Sequence, residues 1–151
     1  HNFGHVTPTQ FDTIGINGKI PELSAALGLA VLDCSEDIFS GRRQVHEWYV
    51  SELKTPLIEL PIWSSDAQRN YAYFPLIFQS DSIREHAENK LQAEGVFPRR
   101  YFYPSLNTLD FLSPVQCPIS ESISKRVLCL PMYPDLKHQS VRKICSIVNS
   151  L

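Results

Sequence analysis

The chain has 151 residues, 43% of them apolar and 20% charged, which is enough length and ordinary enough composition for one globular domain with a real core. A formal net charge of −2 removes any global electrostatic drive toward nucleic acid or an anionic membrane. No apolar run approaches the roughly 20 residues of a membrane helix, and the opening His1-Asn2-Phe3-Gly4-His5 has neither the basic start nor the apolar stretch of a secretion signal.

In chain order, residues 1–20 read as irregular, with Gly4, Pro8, Gly15 and Gly18 set among polar residues. Pro21 and Glu22 then open a helix, since proline suits a first turn and a carboxylate there complements the helix dipole. Leu23, Ala26, Leu27, Ala30 and Val31 follow at helical spacing, and Ile38, Val45, Trp48, Tyr49 and Leu53 continue it. Residues 21–54 are therefore one long helix or two consecutive ones, with a thin Ala/Gly face that another helix or subunit could approach closely.

Leu57 to Leu60 is a short extended piece between prolines, and 63–70 is a loop. Asn70 to Phe78 reads as a strand, with Pro75 marking an edge or a bulge. Ser82-Ile83-Arg84-Glu85 fits a capping box, Ile83, Ala87 and Leu91 mark a helix face, and Gly95 supplies the stop. Val96 to Tyr103 reads as a second strand, 120–126 as a short helix, and Val127 to Leu130 as a third strand. Val141, Ile144, Cys145, Val148 and Leu151 share the face of a last helix. The expected fold class is α+β: a short, mostly antiparallel sheet with helices on one face and a long N-terminal helix.

The four cysteines form no C-x-x-C pair and have no histidine at metal-ligand spacing. Cys34, Cys129 and Cys145 sit in apolar runs, where thiols act as small core residues in a reduced protein. His46 and His86 lie in helical stretches and read as surface or packing residues. No G-x-S-x-G, P-loop, H-E-x-x-H or G-x-G-x-x-G occurs.

Two segments carry chemistry. Gly15-Ile16-Asn17-Gly18-Lys19, just before a helix start, can offer backbone N–H groups, an amide and a cation to a phosphate, although such stretches are mostly plain turns. Pro98-Arg99-Arg100-Tyr101-Phe102-Tyr103-Pro104 would place Arg99, Tyr101 and Tyr103 on one strand face. Arginine and tyrosine there suit a sugar nucleotide, while the pattern alone fits a half-exposed strand better.

In order, several segments resemble the DegT/DnrJ/StrS aminotransferases, which act on nucleotide-linked keto sugars. Asn2-Phe3-Gly4 resembles the family's segment ahead of the cofactor loop. Gly15 to Leu23 followed by Ala25-Ala26-Leu27-Gly28-Leu29 resembles its G-x-N-x-[KR]-x-x-E and A-A-x-G-L. Arg42-Arg43 falls where the family often has a basic pair. Gly95 to Leu106 resembles its G-I-x-x-R-x-Y-Y-P-x-L, and Val127 to Pro134 its V-L-S-L-P-L-Y-P. The form of the 98–107 segment is most similar to the branch that aminates dTDP-4-keto- or dTDP-3-keto-6-deoxyhexoses.

The resemblance implies the small C-terminal domain of a type I fold dependent on pyridoxal 5'-phosphate (PLP), with residues 1–20 as cofactor and interface loop and 21–151 as the small domain. It implies a cytoplasmic homodimer acting in deoxysugar or O-antigen biosynthesis, with L-glutamate and a nucleotide sugar as substrates and neither nucleic acid nor membrane as partner. Asn17 would reach the cofactor phosphate of the neighbouring subunit, Lys19 would assist, and Arg99 and Tyr101 would contact substrate. The family's Schiff-base lysine lies in S-x-x-K ahead of G-E-G-G, and neither stretch occurs here, so the catalytic lysine and its domain are expected outside this chain. A stand-alone binding or dimerisation module, and a sugar dehydratase in which histidine replaces that lysine, are the other readings.

Overall fold

In the computed structural model, the structure describes residues 5–7, 10–11, 16, 18–109 and 115–151, with backbone only for 5–7 and 10–11. The chain divides into two compact units, His1–Glu36 and Asp37–Leu151.

In the first unit, β1 (His5–Thr7) pairs antiparallel with β2 (Gln10–Phe11), with a register irregularity between His5 and Thr7. This ribbon corrects the irregular reading of 1–20 at His5–Thr7 and Gln10–Phe11. Helix α1 (Glu22–Asp33) begins after Pro21 as expected and has no buried residue. Leu23 is 83% exposed and Leu27 65%.

The helical stretch 21–54 is two helices. The break falls at Cys34, ahead of α2 (Ser35–Glu52), rather than at Ser40-Gly41. Gly41 lies inside α2, where a Cβ would sit 2.7 Å from Cβ of Pro134. The glycine lets the 131–134 segment approach the helix.

The second unit carries the core. Three antiparallel strands run in the order β3-β4-β5: β3 (Ile58–Glu59), β4 (Phe74–Phe78) and β5 (Val127–Leu130). β4 is central, yet Pro75 is tolerated because β3 pairs only with Ile77 and Phe78. At Pro75 that side of the ladder is open. Alternation along β4 buries Phe74, Leu76 and Phe78 on one sheet face. They meet Val45 and Tyr49 of α2, Ala87 and Leu91 of α3 (Asp81–Ala93), and Val141, Ile144, Cys145 and Val148 of α5 (His138–Asn149).

Helix α3 starts two residues before the expected box: Ser80 is the cap, its Oγ accepting from the Ile83 amide at 3.2 Å. Its end is as expected. Gly95 takes φ +76, and the Gly95 and Val96 amides donate to Gln92 and Leu91 carbonyls at 3.0 and 2.9 Å, closing a Schellman motif. Helix α4 (Pro118–Arg126) runs into β5.

Val96 to Tyr103 is not a strand. Only Arg99 joins the sheet, exchanging two backbone hydrogen bonds with Cys129 at 3.0 and 2.8 Å, and the chain turns at 101–102. Pro98 and Pro104 remove the donors a longer ladder would need. The expected alternation of side chains beyond Arg99 is therefore lost. Cys129 and Cys145 are buried as read, whereas Cys34, at the α1–α2 junction, is exposed. Among the described residues no helix is long and apolar enough to cross a membrane.

Candidate functional site: an arginine–tyrosine cavity beside the sheet

The Arg99–Cys129 bridge fixes Arg99 at the end of the sheet, where its exposed side chain lines a cavity of about 330 Å³ with Tyr73, Phe97, Met132 and Tyr133. Tyr73 projects just ahead of β4, and its hydroxyl donates to that of Tyr101 at 3.2 Å, with the rings 4.8 Å apart. That bond, and then the neighbouring Tyr101, raise the Tyr73 phenol above its ordinary value. At neutral pH Tyr73 is therefore a protonated hydroxyl, able to donate as well as accept. Arg99 makes no ion pair among the described residues. A guanidinium without a carboxylate, beside two phenols, is a surface suited to a phosphate or to sugar hydroxyls.

The expected site residues are thus distributed as follows. Arg99 and Tyr101 come together through Tyr73, although not as neighbours on one strand face. Arg100 points elsewhere: it stacks on Tyr103, 3.8 Å from the ring centroid, and donates to the Lys125 carbonyl. Lys19 is exposed in the first unit, and Asn17 lies outside the described residues.

Tyr101 also borders a larger and mainly apolar cavity of about 720 Å³ between the outer sheet face and α4, with Phe102, Pro104, Leu106, Ile77 and Ile123 on its walls. Glu121 ties together two of its lining residues, Asn107 and Cys117. This carboxylate accepts from the Cys117 amide at 3.0 Å and from Asn107 at 2.6 Å, which hold it below the ordinary carboxylate range.

A second polar cluster was not anticipated. The Arg69 guanidinium lies between the rings of Trp63 and Tyr71, 4.7 and 4.9 Å from their centroids, and bonds Nε2 of His46 at 2.9 Å. Arg43 approaches the same Tyr71 ring at 5.8 Å. Burial, and then the Arg69 charge, hold His46 below its ordinary value, so at neutral pH its Nε2 accepts the arginine's hydrogen bond. Arg69-Asn70-Tyr71 carries the same arginine–aromatic adjacency as 98–104, and that signal could have found it.

No lysine of the described residues lines any of the four principal cavities. Lys90 and Lys143 are engaged with the Ser150 and Glu94 carbonyls.

A small antiparallel sheet backed by helices, closed by an R-x-Y-x-Y-P turn and a V-L-C-L-P strand, is the small-domain architecture of a sugar aminotransferase. The chain belongs to the DegT/DnrJ/EryC1/StrS aminotransferase family, which it matches over residues 1–149. It is 32% identical to a dTDP-4-amino-4,6-dideoxy-D-glucose transaminase of Shigella dysenteriae, over 99% of this chain and 43% of that protein. It is 33% identical to the Escherichia coli enzyme of the same name, over 97% and 42%. A GDP-perosamine synthase of E. coli O157:H7 is 29% identical over 91% and 38%. Among solved structures, DesI in the presence of its TDP-sugar product superposes with a TM-score of 0.83 at 26% identity, covering 99% of this chain and 40% of that one. The chain thus spans about two fifths of the length of the relatives it matches.

Proposed function

We propose that this chain is the C-terminal portion of a nucleotide-sugar aminotransferase. The whole enzyme moves an amino group from L-glutamate to a dTDP-keto-6-deoxyhexose, at C4 in preference to C3. The observation that carries the reading is Arg99, without an ion-pair partner among the described residues, beside the Tyr73–Tyr101 hydroxyl pair, in a chain whose relatives at 32–33% identity are dTDP-4-amino-sugar transaminases. Arg99 holds a phosphate oxygen, and the phenols hold sugar hydroxyls and orient the ring.

Pyridoxal 5'-phosphate is the cofactor of the longer protein and supplies the electron sink. The family's S-x-x-K ahead of G-E-G-G does not occur in this sequence, so the covalent attachment is assigned to a segment beyond this chain. Asn17 and Lys19 serve the cofactor phosphate at a homodimer interface. The enzyme works in the cytoplasm, in deoxysugar or surface-polysaccharide synthesis, and the 151-residue chain alone is inactive.

The test is the absorbance spectrum of the longer protein with PLP, before and after glutamate. A cofactor band that shifts on adding glutamate supports the reading. A band that glutamate leaves unmoved points to another reaction of the same cofactor, such as sugar dehydration. Failure of the protein to take up the cofactor at all favours a non-catalytic module.

A further inference from the structure

The Trp63–Arg69–Tyr71 cluster is built more elaborately than a loop staple requires. Tyr71 sits at φ +50, the left-handed region that costs a non-glycine residue on the order of 1 kcal/mol. That conformation holds its ring against Arg69 on the one hand and the edge of His46, 5.2 Å away, on the other. Trp63 keeps about half its surface exposed while Arg69 covers one of its faces. Arg69 and Arg43 have no carboxylate partner among the described residues.

A cavity of about 270 Å³ opens beside this cluster, lined by Trp63, Gln68 and Asn70 among others. The Asn70 Oδ1 accepts from the Ala72 amide at 3.0 Å, and its NH₂ has no partner among the described residues. Ala72 and Tyr73 line both this cavity and the one that holds Arg99. An exposed indole face, side-chain amides at its edge and an adjacent guanidinium together match a flat ring with donors and acceptors on its rim and a phosphate attached.

We propose that the Trp63–Arg69 cavity is the nucleobase subsite of the sugar nucleotide. The pyrimidine ring lies on Trp63, its imide edge meets Gln68 and Asn70, and its phosphates run past Tyr73 toward Arg99. This rests on the sugar-nucleotide reading above and extends it to the other end of the same ligand.

The test is calorimetric titration of the longer protein with dTDP and, separately, with inorganic pyrophosphate, in the wild type, Trp63→Ala and Trp63→Phe. The wild type binds dTDP more tightly than pyrophosphate. Trp63→Ala weakens dTDP at least about fivefold, the low end for loss of one base–aromatic stack, and leaves pyrophosphate unchanged, while Trp63→Phe retains most of the dTDP affinity. Equal affinity for the two ligands in the wild type, equal loss of both in Trp63→Ala, or no binding of dTDP would overturn the assignment. Neither glutamate nor cofactor enters the titration. A protein that fails the spectral test but binds dTDP through Trp63 overturns the transaminase reading alone, and one that transaminates but shows no Trp63 effect overturns the subsite alone.

Discussion

Arg84 shows how a single residue is held where its type is rarely found. It is 5% exposed, and Asp81, Glu88 and the Lys125 carbonyl take its guanidinium donors, tying α3 to the end of α4. Removing it leaves Glu88, half-buried, without its counter-charge. Arg84→Ala is expected to lower stability by about 3 kcal/mol, read as a lower urea midpoint. At His46 the sign of the pH dependence follows from its depressed value. The unfolded chain binds the proton more readily, so the stability from neutral His46 is full above pH 6.5 and is lost as pH falls below it. Wild type should therefore lose more stability than His46→Gln between about pH 7.5 and 5, compared by urea unfolding. Burial pushes the Cys129 thiol up to about 11 and Cys145 to about 12. At about pH 8 a thiol reagent should label exposed Cys34 rapidly and reach Cys129 and Cys145 only on denaturation.

Among the elements, the caps and close approaches decide what the sequence could show. The end of α3 was legible because Gly95 is the one residue that takes the left-handed position cheaply. Its start was missed because Ser80 and Ser82 both fit a cap, and only the folded chain shows which amide is served: Ser80 bonds Ile83. Ser80→Ala should cost about 1 kcal/mol, against nearly nothing for Ser82→Ala, in thermal melts. The long helix could be read from its period, whereas Gly41 looked like a break because its purpose lies 93 positions along the chain, at Pro134. Gly41→Ala drives a Cβ into proline backbone and should destabilise by about 1–3 kcal/mol despite the higher helix propensity of alanine. Val96–Tyr103 misled because alternation holds only while a ladder continues, and Pro98 before Arg99 and the turn at 101–102 after it confine the pairing to one residue.

At the scale of the whole molecule, core positions were recoverable from periodicity alone: every apolar residue named on the last helix packs into or against the core. The functional surface was recoverable only in part. Arg99 and Tyr101 are near in sequence, but Tyr73, which joins them, comes from the other side of the sheet, 28 residues away. Helix α1 carries Leu23, Leu27 and Leu32, none of them buried.

The central claim is that Arg99 and its tyrosines form the sugar-nucleotide wall of a transaminase, and the two half-reactions separate it from every general effect. In the longer protein loaded with PLP, Arg99→Ala should leave the glutamate-driven absorbance change as fast as in wild type. It should slow consumption of the dTDP-4-keto-6-deoxyhexose by about tenfold or more, the loss of one charge-assisted hydrogen bond. Equal slowing of both half-reactions, or an unaltered sugar half-reaction, would contradict the account.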